Sequence, residues 1–104
     1  MLKVAAFCIS GMSTSILVSK IRRCAKERNI DIDINAYSEG ELEEHTDLDC
    51  VILGPQVEFL YDEAKEIFEP LNIPIKIIDI VDYGRMNGEK VLNDILAIVK
   101  NKGE

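Results

Sequence analysis

Histidine and cysteine are scarce in this sequence. It has one histidine, His45, and three cysteines with no CxxC pair. A zinc site of the usual Cys/His kind is therefore not expected, and neither a metal nor a cofactor is assigned. His45 stands in the acidic run Glu43-Glu44-His45-Thr46-Asp47 and reads as a solvated surface side chain. Long apolar runs are lacking too: none approaches the roughly 20 residues of a membrane span. No recognisable cleavage site follows the N-terminal apolar stretch, so Val4 to Phe7 reads as a buried strand and not as a secretion signal. Three cysteines without an export signal point to a cytoplasmic setting with reduced thiols. Positive charge is in deficit. There are 12 Lys and Arg against 19 Asp and Glu, for a net charge of −7. Nucleic acid and anionic lipid both need a cationic surface, so both are disfavoured as partners.

What is present suits one compact α/β domain over residues 1–104. Hydrophobic residues make up 47% and charged residues 30%, enough to bury a core. Leu2 to Phe7 is apolar apart from Lys3, the pattern of a strand covered on both faces. A helical pattern follows from Ile16 to Arg28, with Leu17, Ile21, Cys24 and Ala25 on its inner stripe. Ile30 to Tyr37 alternates apolar and polar residues, as an edge strand does. Ser38 and Glu41 have capping-box spacing and predict a short helix over residues 39–44.

Cys50 to Leu53 reads as a second doubly buried strand, closed by Gly54-Pro55-Gln56. Val57, Leu60, Ala64, Ile67 and Phe68 then mark a helix that Pro70 stops. Ile73 to Ile80 predicts a fourth strand, and residues 81–88 a loop. Asn87 is placed to cap a last helix carrying Val91, Leu92, Ile95, Leu96 and Val99 inward. Alternating strands and helices predict a three-layer sandwich around a four-stranded parallel sheet. The loops after the first, third and fourth strands would meet at one edge of it.

The chemistry concentrates in Phe7-Cys8-Ile9-Ser10-Gly11-Met12-Ser13-Thr14-Ser15. Strand, small-residue loop and helix make a phosphate-binding layout, with backbone amides and a helix N-terminus turned toward one hollow. Cys8 would sit at the carboxyl end of its strand, where open α/β sheets bind ligands. That field favours a thiolate, so Cys8 is the candidate nucleophile. A cysteine here is also compatible with a plain buried strand residue. Cys24 and Cys50 fall on apolar stripes and read as core. Met12 fits either a core residue or a lid. Asp82 and Tyr83 could act near the thiol, although an aspartate in a surface loop is usually solvated or capping; Gln56 and Tyr83 are the accessory candidates.

The loop lacks arginine. The sixth residue after Cys8 is Thr14, where a Cys-x5-Arg phosphatase needs a guanidinium to clamp the phosphoryl oxygens. Uncharged donors hold a phosphoryl group without driving its hydrolysis as strongly, which suits a carrier.

Cys-x-x-Gly-Met-Ser-Thr-Ser directly after the first strand resembles the phosphocysteine loop of the lactose/cellobiose/chitobiose-type enzyme IIB of the bacterial phosphotransferase system (PTS). Val51-Ile52-Leu53-Gly54-Pro55-Gln56 resembles that family's third-strand segment, and Tyr83-Gly84 with Gly88 its last loop. Ile9-Ser10 stands where the family often has Ser-Ala. The resemblance spans essentially the whole chain. It implies a phosphohistidine–sugar phosphotransferase with a low-molecular-weight phosphatase-like fold. Cys8 would take a phosphoryl group from a IIA protein and pass it to a sugar, usually a β-linked disaccharide, bound to the IIC permease. The chain would then associate peripherally with that permease. Ile9, Ser10, Gly11, Met12, Ser13, Thr14 and Ser15 would form the phosphate cradle, chiefly through backbone amides. A phosphatase-like hydrolase and a non-catalytic regulatory module of the same fold remain the alternatives.

Overall fold

A computed structural model describes residues 1–9 and 12–102. Strand β1 spans Leu2–Cys8, β2 Ile32–Ser38, β3 Cys50–Leu53 and β4 Ile75–Ile77. They form one four-stranded sheet in the order β2-β1-β3-β4, with every neighbouring pair parallel. Helix α1 runs Met12–Glu27, α2 Tyr61–Phe68, α3 Ile80–Gly84 and α4 Gly88–Lys102. Three short 3-10 segments, Glu39–Glu44, Pro55–Leu60 and Glu69–Leu71, complete the order.

Residue alternation on β1 and β3 explains their continuous apolar runs. Val4 and Ala6 with Cys50 and Ile52 face the α1 and α4 side, against Leu17, Ile21, Leu92 and Ile95. Ala5 and Phe7 with Val51 and Leu53 face the α2 side, against Leu60, Ala64 and Phe68. Both strands are thus covered twice, the parallel-sheet condition. β2 lies at an edge and buries chiefly one face, through Ile34. Cys50 is buried and Cys24 partly buried against the same cluster, so both are packing residues. Asn29, at φ 55, ends α1, and Ile30 N–H donates to the Ala25 carbonyl at 2.8 Å.

Several boundaries differ from the sequence reading. α1 begins at Met12, four residues before the helical pattern read from Ile16. After Met12 its first turn is built from Ser13, Thr14 and Ser15, small hydroxyl residues that form no apolar stripe. The Glu39–Glu44 helix forms, but as a 3-10 turn. Ser38 N–H and Oγ donate to the Glu41 carboxylate at 2.8 and 3.0 Å.

The helix expected from Val57 is kinked at that residue (φ −116°, ψ 26°) and becomes α-helical only at Tyr61. β4 is shorter than Ile73 to Ile80, because Asp79 leaves the ladder to cap α3 through the Val81 and Asp82 amides. The stretch read as a loop from Val81 therefore contains a helix. Asn87 caps α4 as expected, its side chain accepting from Lys90 N–H at 3.1 Å. His45 is not a freely solvated side chain. Its ring stacks on Tyr37, with centroids 3.6 Å apart, and Nε2 lies 3.6 Å from Glu41 Oε1. Stacking hides apolar ring area that the acidic sequence context did not reveal.

Candidate functional site

Cys8 is the last residue of β1. The sheet order puts the topological switch between β1 and β3, because the chain leaves β1 toward β2 and then crosses back to β3. Ligands of open α/β sheets bind in the crevice at the carboxyl ends of such strands. Cys8 stands there from β1 and Gly54 from β3. Gly54 N–H donates to the Phe7 carbonyl at 2.9 Å. A Cβ on Gly54 would lie 3.5 Å from Cys8 Cβ and 3.1 Å from Gln56 Oε1. Glycine therefore leaves space beside the cysteine, and the Gln56 side chain borders that space. Cys8 itself is 4% exposed and belongs to neither apolar cluster among the described residues.

The early start of α1 changes the composition of the cradle. Ser13, Thr14 and Ser15 belong to its first turn and not to a loop. In general, the first N–H groups of a helix lack intrahelical acceptors and stand at the positive end of its dipole, which is why helix starts suit anions. The first turn of α1 contains no Asp or Glu to compete for those N–H groups. Ile9 is exposed at 55%. Ser10 and Gly11 lie outside the described residues, as do the side chains of Met12 and Ser13.

Thr14 is fully buried, and its Oγ1 lies 3.3 Å from the Tyr83 hydroxyl. This bond fastens the N-terminal turn of α1 to α3. Tyr83 is thus a positioning residue for the helix end. Pro55, Gln56, Ile80, Tyr83 and Gly84 line a cavity of about 420 Å³. The segments after β1, β3 and β4 do converge, as the sequence suggested. Asp82 is turned to Lys90, 3.4 Å away.

Glu41 was not singled out as a site residue. Its carboxylate is tied to Ser38, the Cα partner of Cys8 in the β1–β2 ladder. The Ser38 amide, then the Ser38 hydroxyl, hold the Glu41 carboxyl below its usual range. Its capping-box spacing was the available signal. Among the described residues no group of three or more His, Cys, Asp and Glu is arranged to hold a metal ion, and no helix is long and apolar enough to cross a membrane.

Known proteins resemble this chain in sequence and in fold. Residues 3–94 match the family described as the PTS system, Lactose/Cellobiose specific IIB subunit. The chain is 38% identical over 95 residues to the PTS system galactose-specific EIIB component of Lactococcus lactis subsp. cremoris (strain MG1363), covering 86% of this chain and 88% of that one. It is 33% identical over 103 residues to the oligo-beta-mannoside-specific EIIB component of Bacillus subtilis (strain 168), covering 98% and 100%. The solution structure of a cellobiose-specific phosphotransferase IIB component from Borrelia burgdorferi superposes with a TM-score of 0.80 at 44% identity, over 97% of this chain and 94% of that one. Sheet, crevice and sequence agree: the chain belongs to the lactose/cellobiose-specific IIB subunits, the phosphoryl-carrying sugar phosphotransferase components of the PTS.

Proposed function

We propose that Cys8 is the atom-level carrier in this protein and that residues 1–104 work as a single IIB domain in the cytoplasm. The observation that carries the reading is the placement of Cys8. It ends a central strand at the switch point, beside a helix N-terminus free of carboxylates and a glycine that leaves room for a phosphoryl group. In the first half-reaction the Cys8 thiolate attacks the phosphorus of a phosphohistidine on the IIA protein. The S–P bond forms and the N–P bond breaks. The electron pair returns to the imidazole nitrogen. In the second, a hydroxyl oxygen of the sugar held by the IIC permease attacks the same phosphorus. The thiolate then leaves, and the hydroxyl proton passes to a base or to water at the permease.

Backbone amides at the start of α1, with those of Ile9 to Gly11, stabilise the phosphoryl oxygens in both directions. No arginine stands in residues 9–15. Hydrolysis is then not promoted, and the phosphocysteine survives until an acceptor arrives. A sugar of the β-linked disaccharide class is the acceptor this reading favours. Gln56 and Tyr83 border the site without entering the bond changes.

Intact mass spectrometry tests the assignment after incubation with phosphoenolpyruvate, the general PTS proteins and the cognate IIA protein. One phosphate should add to the wild type and map to Cys8, and none to the Cys8→Ser variant. A phosphate on any other residue, or its persistence in Cys8→Ser, refutes the assignment.

A further inference from the structure

The acidic character of the chain is not evenly spread. Residues 20–28 hold five of the 12 cations, Lys20, Arg22, Arg23, Lys26 and Arg28, but only one of the 19 anions, Glu27. All five side chains are exposed, and none pairs with a carboxylate among the described residues. On the other face of the sheet, residues 58–69 carry Glu58, Asp62, Glu63, Glu66 and Glu69 against the single Lys65.

Beside the basic stripe lies a groove of about 380 Å³ between α1 and the edge strand β2, lined by Ser15, Ser19, Arg22, Asn35 and Ala36 among others. Arg22 is fixed in it. Its Nε and Nη2 donate to the Ile34 carbonyl at 3.0 and 2.6 Å, and Nη2 also to Asn35 Oδ1 at 2.9 Å. Nη1 donates to no described residue. A guanidinium held by two partners with one nitrogen left over is set to take an oxygen anion, with little rotamer freedom left to lose.

We infer that this groove and the surrounding stripe form the docking surface for an acidic segment of the phosphoryl-donor protein, with a partner carboxylate on Arg22. The inference rests on the carrier reading above, and it says which partner uses which side. Two arguments select the donor. The cytoplasmic loops of a membrane permease are enriched in Lys and Arg, so they are repelled by this stripe and attracted by the acidic α2 face. Reach is the second. A standard interface of ~800 Å² per partner is a patch of roughly 16 Å radius. With ~1.5 Å rise per residue, Arg22 stands about 15 Å along α1 from Met12. A donor seated over the start of α1 therefore reaches Arg22 at the rim of its footprint.

The test is a binding titration of the labelled full-length chain with the unphosphorylated donor, followed by NMR. Amide shifts are expected at Ser15, Ser19 and Arg22. The double variant S19D/R23E puts a carboxylate in the groove and reverses one stripe charge. It should weaken Kd about tenfold at 0.1 M salt, and the gap should close near 1 M, where the screening length falls from ~10 Å to ~3 Å. The variant E63K, on the opposite face, should bind the donor as wild type does. Wild-type affinity in S19D/R23E, or shifts absent from α1, overturns the inference. So does sedimentation with phosphatidylglycerol vesicles that S19D/R23E abolishes, since the stripe would then serve a lipid surface. Cys8→Ser should still dock with shifts at the same amides, so failure of the carrier chemistry and failure of this surface are read separately.

Discussion

Replacing Gly88 by alanine probes the contact that holds α1 in place. Gly88 opens α4, and a Cβ there would sit 2.9 Å from both the carbonyl carbon and Cβ of Lys20 and 3.0 Å from Ile21 N. These atoms belong to the backbone of α1 or are fixed to it, so no flexible chain end can yield. Two effects oppose each other. Alanine gains up to ~1 kcal/mol over glycine in a helix interior, and less at a first residue. Forcing a methyl group into packed backbone costs about 1–3 kcal/mol. The clash wins, and Gly88→Ala should lose roughly 1–2 kcal/mol.

For a chain of this size each kcal/mol moves Tm by about 4–8 °C. A fall of about 5–15 °C is therefore expected by circular dichroism, with a matching drop in the urea midpoint. Gly84→Ala is the control: a Cβ there meets nothing within 4 Å, so Tm should hold or rise slightly. An unchanged or higher Tm for Gly88→Ala would mean that the helices separate at little cost, and the tight α1–α4 contact would no longer explain how the cradle is held.

Tyr83→Phe leaves the buried Thr14 hydroxyl without its partner. Stability should fall by about 1 kcal/mol, because the 3.3 Å bond is long. Phosphoryl uptake should slow with it, and a Thr14→Val/Tyr83→Phe double variant should recover part of the stability; strictly additive losses in the cycle would count against the coupling. Glu41→Gln tests the Ser38 tie by pH. A carboxyl held low stabilises the fold above its unfolded value, and that stabilisation is lost as pH falls through the lower folded value. The Tm gap between wild type and Glu41→Gln should be open at pH 7 and shrink below about pH 4; parallel curves would sink the assignment.

The sheet was legible because burial on both faces leaves an unbroken apolar run, as in Val4 to Phe7 and Cys50 to Leu53. Edge strand β2 was legible because one open face imposes alternation. What escaped were places where apolarity and conformation part company. The run from Ile73 to Ile80 is rich in isoleucine, which reads as strand, yet the chain turns at Asp79 because an Asx cap on α3 competes with the ladder. At α1 the reverse holds: Met12 to Ser15 is helical without an apolar stripe to announce it. The thiol and its small-residue neighbours could be read from the sequence, whereas Gly54 beside Cys8, Tyr83 on Thr14 and His45 on Tyr37 are contacts between distant segments that no local pattern encodes.

The sheet keeps its two apolar clusters apart. A change of volume at Phe68 or Leu60 is felt by Leu92 or Ile95 only through the backbones of β1 and β3. Either flank can thus be remodelled for a new docking partner while the side chains of the opposite flank keep their own packing.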